Sequence, residues 1–118
     1  MTPSTASNLT PSAVLEVMRK HIGQAKGIGI AGIVQAVTQS STTASAERHC
    51  RRIISDLREE GIAICGKPST GYYIAATQAE LEECCRFLRS RALTSLRLES
   101  RLRKMALPDL IQQLRITV

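Results

Sequence analysis

The sequence predicts a mainly α fold with a small β-hairpin and a long C-terminal helix. Three observations carry this expectation. Apolar residues recur at helical spacing in successive segments, one pair of short apolar runs flanks a Pro/Gly turn, and no Gly or Pro interrupts the chain from Gln78 to Met105. Each element follows in order.

Residues 1–9 are Ser/Thr-rich and read as a loose tail. Thr10 and Pro11 form an N-cap with proline at the first helical position, so a first helix is predicted over about Pro11 to Ile22, with Val14, Leu15, Met18 and Ile22 inward. Gly23 and Gly27 end it, and Ile28 is suited to a short strand. A second helix over about Ile30 to Val37 turns Ile33, Val34 and Val37 inward. A polar connector, 38–44, leads into the third helix. There Ala46, Cys50, Ile53, Ile54 and Leu57 make one apolar stripe, and Arg48, Arg51, Arg52 and Ser55 fall on the opposite side.

Gly61 stands where a left-handed cap is expected. Ile62 to Cys65 and Tyr72 to Ala75 are predicted as strands around the turn 66–71. Thr77 and Glu80 form a capping box that opens a helix to about Met105, roughly 40 Å long at 1.5 Å per residue. Pro108 starts a last amphipathic piece with Leu110, Ile111 and Leu114 on one side. The expected organisation is a tail (1–9), a core domain (10–76) and a helical extension (77–118).

Helix, helix, helix, hairpin, helix is the order of a winged helix-turn-helix. The run Leu57, Arg58, Gly61, Ile62, Ile64, Gly71, Tyr72, Ile74 makes the likeness specific. A helix ending in Leu-Arg-x-x-Gly is followed by an apolar strand, a turn, and Gly-Tyr with an apolar residue. In this the chain resembles the winged helix-turn-helix DNA-binding domain of the biotin operon repressor N-terminal type, over about residues 11–76. The resemblance implies double-stranded DNA as partner and the third helix as the element that reads it. The ligase domain of that repressor does not fit in 118 residues, so biotin chemistry does not carry over. The connector 38–44 is longer than the compact turn usual between the second and third helices of this class.

Composition narrows the function classes. The net charge is +6, carried by arginine more than lysine, which suits phosphates and guanine edges. Only 3% of residues are aromatic and none is Trp, which disfavours base stacking on single strands or RNA. No apolar run reaches the roughly 20 residues that span a bilayer, and the first residues lack the pattern of a secretory signal. A cytoplasmic protein with reduced thiols is expected.

The candidate DNA-binding residues are Ser45, Arg48, His49, Arg51, Arg52 and Ser55 on the third helix and Lys67, Ser69 and Thr70 on the wing. Recognition helices use their N-terminal half at base edges, and wing donors suit phosphate oxygens. The plainer alternatives are a solvated helix face, since Glu47, Asp56, Glu59 and Glu60 share that helix, and an ordinary hairpin tip. Neutralising about five phosphates per subunit gives a log-log salt slope near −4 to −5.

On the long helix and its continuation, Leu88, Ala92, Leu96, Leu110, Ile111 and Leu114 are candidate dimerisation residues, and a homodimer regulating transcription is the expected form. Two alternatives stay open: an adaptor that binds a protein partner through the C-terminal helix, and a thiol or metal sensor using the cysteines.

Other motifs lose to simpler readings. Gly27-x-Gly29-x-x-Gly32 spells a dinucleotide fingerprint, but it does not follow a buried strand in a βαβ unit. Gly61-x-x-x-x-Gly66-Lys67 lacks the Ser/Thr and the helix of a P-loop. Cys50, Cys65, Cys84 and Cys85 lack metal-ligand spacing, and Cys50 and Cys85 fall on apolar stripes, so core thiols are expected rather than a metal site or cofactor. No nucleophile–base pairing is visible, and no enzyme is predicted.

Overall fold

A computed structural model of the chain describes residues 8–103 and 107–117. The elements are α1 (Pro11–Met18), a 3-10 turn (Gln24–Lys26), α2 (Ile30–Thr38), α3 (Ala44–Glu59), β1 (Ile64–Lys67), β2 (Gly71–Ile74), α4 (Gln78–Arg103) and α5 (Leu107–Thr117). This is the predicted class: mainly helical, with a two-stranded antiparallel hairpin and a long helix in winged-helix order. Two compact units divide at Cys84/Cys85, inside α4.

In the first unit α1, α2 and α3 pack around Val14, Met18, Ile33, Val34, Cys50, Ile53, Ile54 and Leu57, all buried. Thr10 caps α1 as expected, its Oγ1 accepting from Ala13 N at 3.2 Å. Leu9, assigned by sequence to the loose tail, is instead 2% exposed and part of this core. Leu9 therefore belongs to the folded unit, and residues 1–7, the rest of the expected tail up to Asn8, lie outside the described ones.

The first helix ends at Met18, four residues earlier than predicted, because its last turn tightens. Lys20 N donates to Val17 O and His21 N to Met18 O. The chain then joins the hairpin. Gly23 N donates to Ile74 O at 2.8 Å and Ile74 N to His21 O at 2.9 Å, which leaves Ile22 47% exposed rather than in the core. Ile28 pairs antiparallel with Tyr72, so β2 is bonded on both edges and the expected short strand at Ile28 exists as a single bridge. Two glycines permit this approach. A Cβ on Gly27 would collide with the Thr70 carbonyl, and one on Gly71, at φ 73°, with the backbone of Ile28. Gly27 of the apparent dinucleotide fingerprint thus serves backbone packing.

The hairpin pairs Ile64 with Ile74, Cys65 with Tyr73, Gly66 with Tyr72 and Lys67 with Gly71. It sits two residues further toward its tip than predicted on the first strand, and one on the second. Thr70 N donates to Lys67 O at 3.1 Å with Pro68 next in the turn and Gly71 at positive φ. The Lys67–Thr70 hydrogen bond closes a tight turn over Pro68 and Ser69, and the left-handed Gly71 that follows returns the chain to the second strand.

A smaller cluster, Cys65, Tyr73 and Cys84 with Ala75 and Leu81, seats the first turns of α4 on the hairpin. Burial pushes the Tyr73 hydroxyl up to about 12, with the neighbouring Cys65 and Cys84 thiols and the Glu80 and Glu83 carboxylates adding to the effect. Cys84 is therefore the buried member of the pair, and Cys85, predicted on the apolar stripe, is exposed. In the second unit Leu93 and Leu96 are half-buried and Ser100 is buried on one face of α4. Among the described residues no helix is long and apolar enough to cross a membrane, and no three His, Cys, Asp or Glu side chains gather as a metal site.

Candidate nucleic-acid interface

Helix α3 owes its form to a cap and a clean partition of side chains. Thr43 Oγ1 accepts from Ala46 N at 3.1 Å and starts the helix. Thr42 Oγ1 donates to Glu47 Oε2 at 2.8 Å, placing an acid in the first turn, where the helix dipole favours it. The connector shortens to residues 39–43, with Gln39 in the left-handed region at φ 57°. At the other end Gly61 takes φ 95°, and Ile62 N reaches back to Leu57 O at 3.1 Å, a Schellman-type close.

All five residues of the predicted apolar stripe are buried. Cys50 lies among them, and burial pushes its thiol up to about 11; nearby Arg51 opposes the shift and Glu47 adds to it. Cys50 is therefore a packed, neutral thiol.

The outer face collects Ser45, Arg48, Arg51, Arg52 and Ser55, all exposed. Ser45, Arg48, Arg52 and Ser55 follow steps of three, four and three residues, and so form one line along the helix. Arg51, beside that line, lies 3.7 Å from Glu47. Arg48 and Arg52 have no ion-pair partner within 4.0 Å among the described residues. Asp56, Glu59 and Glu60 are exposed at the far end, so positive charge concentrates toward the N-terminus of the helix.

Three other candidates are engaged elsewhere. His49 is half-buried and its Nε2–H donates to Leu9 O at 3.1 Å, tying the segment before α1 to the third helix. Lys67 is 20% exposed at its side chain and pairs with Glu83 Oε1 at 2.7 Å. Thr70 Oγ1 donates to Gly71 O at 2.9 Å within the loop. Ser69 alone of the wing candidates is exposed, at the tip beside Pro68.

The diversions of His49 and Lys67 have a geometric cause. His49 precedes Ile53 by one helical turn and flanks the apolar stripe. Lys67 follows Cys65 by two residues and so shares the strand face that packs on α4.

Two polar residues outside the predicted site hold its frame. Arg58 Nε donates to Ile64 O at 2.7 Å, with its guanidinium 6.0 Å from the Tyr72 ring centre, which locks α3 to the hairpin. Glu80 completes the capping box in altered form: its Oε1 accepts from Ala76 N at 2.9 Å and its Oε2 from Gln24 N at 3.1 Å. These two backbone donors, Ala76 first, hold its carboxyl below the usual range.

Of the dimerisation candidates, Leu88 and Ala92 are exposed, Leu96 and Ile111 half-buried, and Leu114 exposed; the side chain of Leu110 lies outside the described ones. Leu96 lies with Leu93 on the covered face of α4, apart from Leu88 and Ala92, so the predicted stripe is divided. Comparison with family models, with curated proteins and with solved structures finds no match for this chain.

Proposed function

We propose that this protein binds double-stranded DNA through the outer face of α3, as a sequence-specific regulator of transcription. One observation carries the reading: Arg48 and Arg52 stand exposed and, among the described residues, without acidic partners, at the positive end of a helix whose other side is consumed by the core. Ser45, exposed on the same line, adds a hydroxyl donor for a phosphate, and Arg51 adds charge at the flank. Arginine at a groove supplies paired donors to guanine O6 and N7 as well as to phosphate. The resemblance at Leu57, Arg58, Gly61 and Gly71-Tyr72 supports the same orientation of helix and wing.

Lys67 and His49 are dropped from this interface, because both are already bonded within the fold. The contact then rests on three arginines per copy, and the expected log-log salt slope is near −3 instead of −4 to −5. Fluorescence anisotropy on a duplex across a salt series tests this. Replacing Arg48 and Arg52 together by Ala should remove about two units of slope and most of the binding at moderate salt. Absence of binding at low salt by the folded wild type would overturn the proposal.

A second reading, docking of a protein on the C-terminal helix, is favoured by the exposed leucines of α4.

A further inference from the structure

The C-terminal half of α4 leaves apolar surface uncovered within its unit. Leu88, Leu98 and Leu102 are 47%, 56% and 78% exposed, and Ala92 and Ser95 between them are exposed as well. Leu88, Ala92, Ser95, Glu99 and Leu102 recur at alternating steps of four and three residues, the spacing of a helix-pairing seam, with Arg91 and Leu98 on one flank.

We propose that this seam docks a second copy of the same chain, antiparallel, with the two-fold axis at Ser95. In such a pair each residue lies level with the one equally far beyond Ser95 on the other copy. Arg91 and Glu99 are each four residues from Ser95, so Arg91 of either copy meets the partner's Glu99. Leu88 meets the partner's Leu102, and Ala92 meets the partner's Leu98, by the same symmetry.

Glu99 is the single acid between Arg86 and Arg103, and it falls where the partner's arginine needs it. Its Oε2 already accepts from Arg103 Nε at 3.0 Å, which orients the carboxylate without cancelling the surrounding positive charge. A parallel pair would set Glu99 against Glu99 and Arg91 against Arg91, an arrangement that like-charge repulsion disfavours. Small side chains at Ala92 and Ser95 let two helices approach closely at the crossing. A surface that matches its own two-fold image in both apolar and charged positions is the mark of an isologous interface. The inference does not depend on DNA binding.

Sedimentation equilibrium of the full chain over a range of concentrations tests the proposal, with circular dichroism to confirm that each variant is folded. The wild type should show a monomer–dimer equilibrium. Arg91→Glu and Glu99→Arg should each raise the dissociation constant at least about tenfold, and the double variant should return it to within about threefold of wild type. A Ser95→Cys variant in a Cys85→Ser background should form a disulfide-linked dimer under mild oxidation, because the new thiols face each other at the axis. A chain that remains monomeric to about 100 μM overturns the proposal. So does a dimer that neither charge reversal weakens, since its contact must then lie on another surface.

Discussion

Helix α3 and the C-terminal half of α4 are both amphipathic and both rich in arginine, yet they end in opposite conditions. Every apolar residue of the α3 stripe is buried, so charged and hydroxyl side chains dominate the outer face. In α4 the covered face takes Leu93 and Leu96, while Leu88, Leu98 and Leu102 stay in water. The difference teaches that arginine content alone assigns neither helix a role. What folding leaves uncovered does: a polar basic face in the first case, a leucine seam in the second.

The contrast breaks most directly through stability. Ile54→Ala should cost about 2–5 kcal/mol in urea denaturation, as for other deletions from a filled core. Leu98→Ala, measured at concentrations where the chain is monomeric, should cost less than about 0.5 kcal/mol. Comparable losses at the two positions would mean that the α4 leucine is already buried within one chain.

Charge sharpens the comparison next. Replacing Arg48 and Arg52 with Ala should change stability by less than about 0.5 kcal/mol while removing DNA affinity. Lys67→Ala should do the reverse: the salt slope stays, and the melting temperature falls slightly as the partly exposed pair with Glu83 is lost. A Lys67 variant that lowers the slope would return the wing ammonium to the interface.

Alkaline titration probes the filled side of the comparison. Cys50 and Tyr73 are held neutral, with values raised to about 11 and about 12 from 9.0 and 10.0. The unfolded chain ionises first, so stability is complete below about pH 9 and falls as pH rises toward 12. Tyr73→Phe should move the alkaline unfolding midpoint upward; no movement would show that the hydroxyl titrates alike in both states.

The smallest effect belongs to Glu80. Its lowered value means that its stabilisation is present above the ordinary carboxylate range and is lost as pH falls through the folded-state value. Glu80→Gln should therefore flatten the acid limb of the stability curve.

Local rules made much of this fold legible. The α3 stripe, the Thr10-Pro11 start, the Gly61 stop and the Pro68…Gly71 turn each follow from chemistry within a few residues. What the sequence did not disclose depends on contacts between distant segments. Gln24 donates to Glu80, His49 to Leu9 and Lys67 to Glu83, and none of these partners is marked by spacing. The early end of α1 has the same origin, since the backbone at His21 and Gly23 bonds to Ile74 in preference to continuing the helix. For the candidate site, helical periodicity placed the arginines correctly. Strand alternation from the buried Cys65 turns Lys67 toward α4 and away from the wing surface.

The four cysteines divide three to one: Cys50, Cys65 and Cys84 are shielded, and Cys85 is open to solvent. A maleimide dye applied to the native protein should therefore attach at one position, with the other three thiols reacting only after unfolding. That gives a fluorescent reporter without any engineered residue. Carried on the helix that bears the exposed leucines, it allows energy transfer between donor- and acceptor-labelled copies to test the proposed pairing in real time.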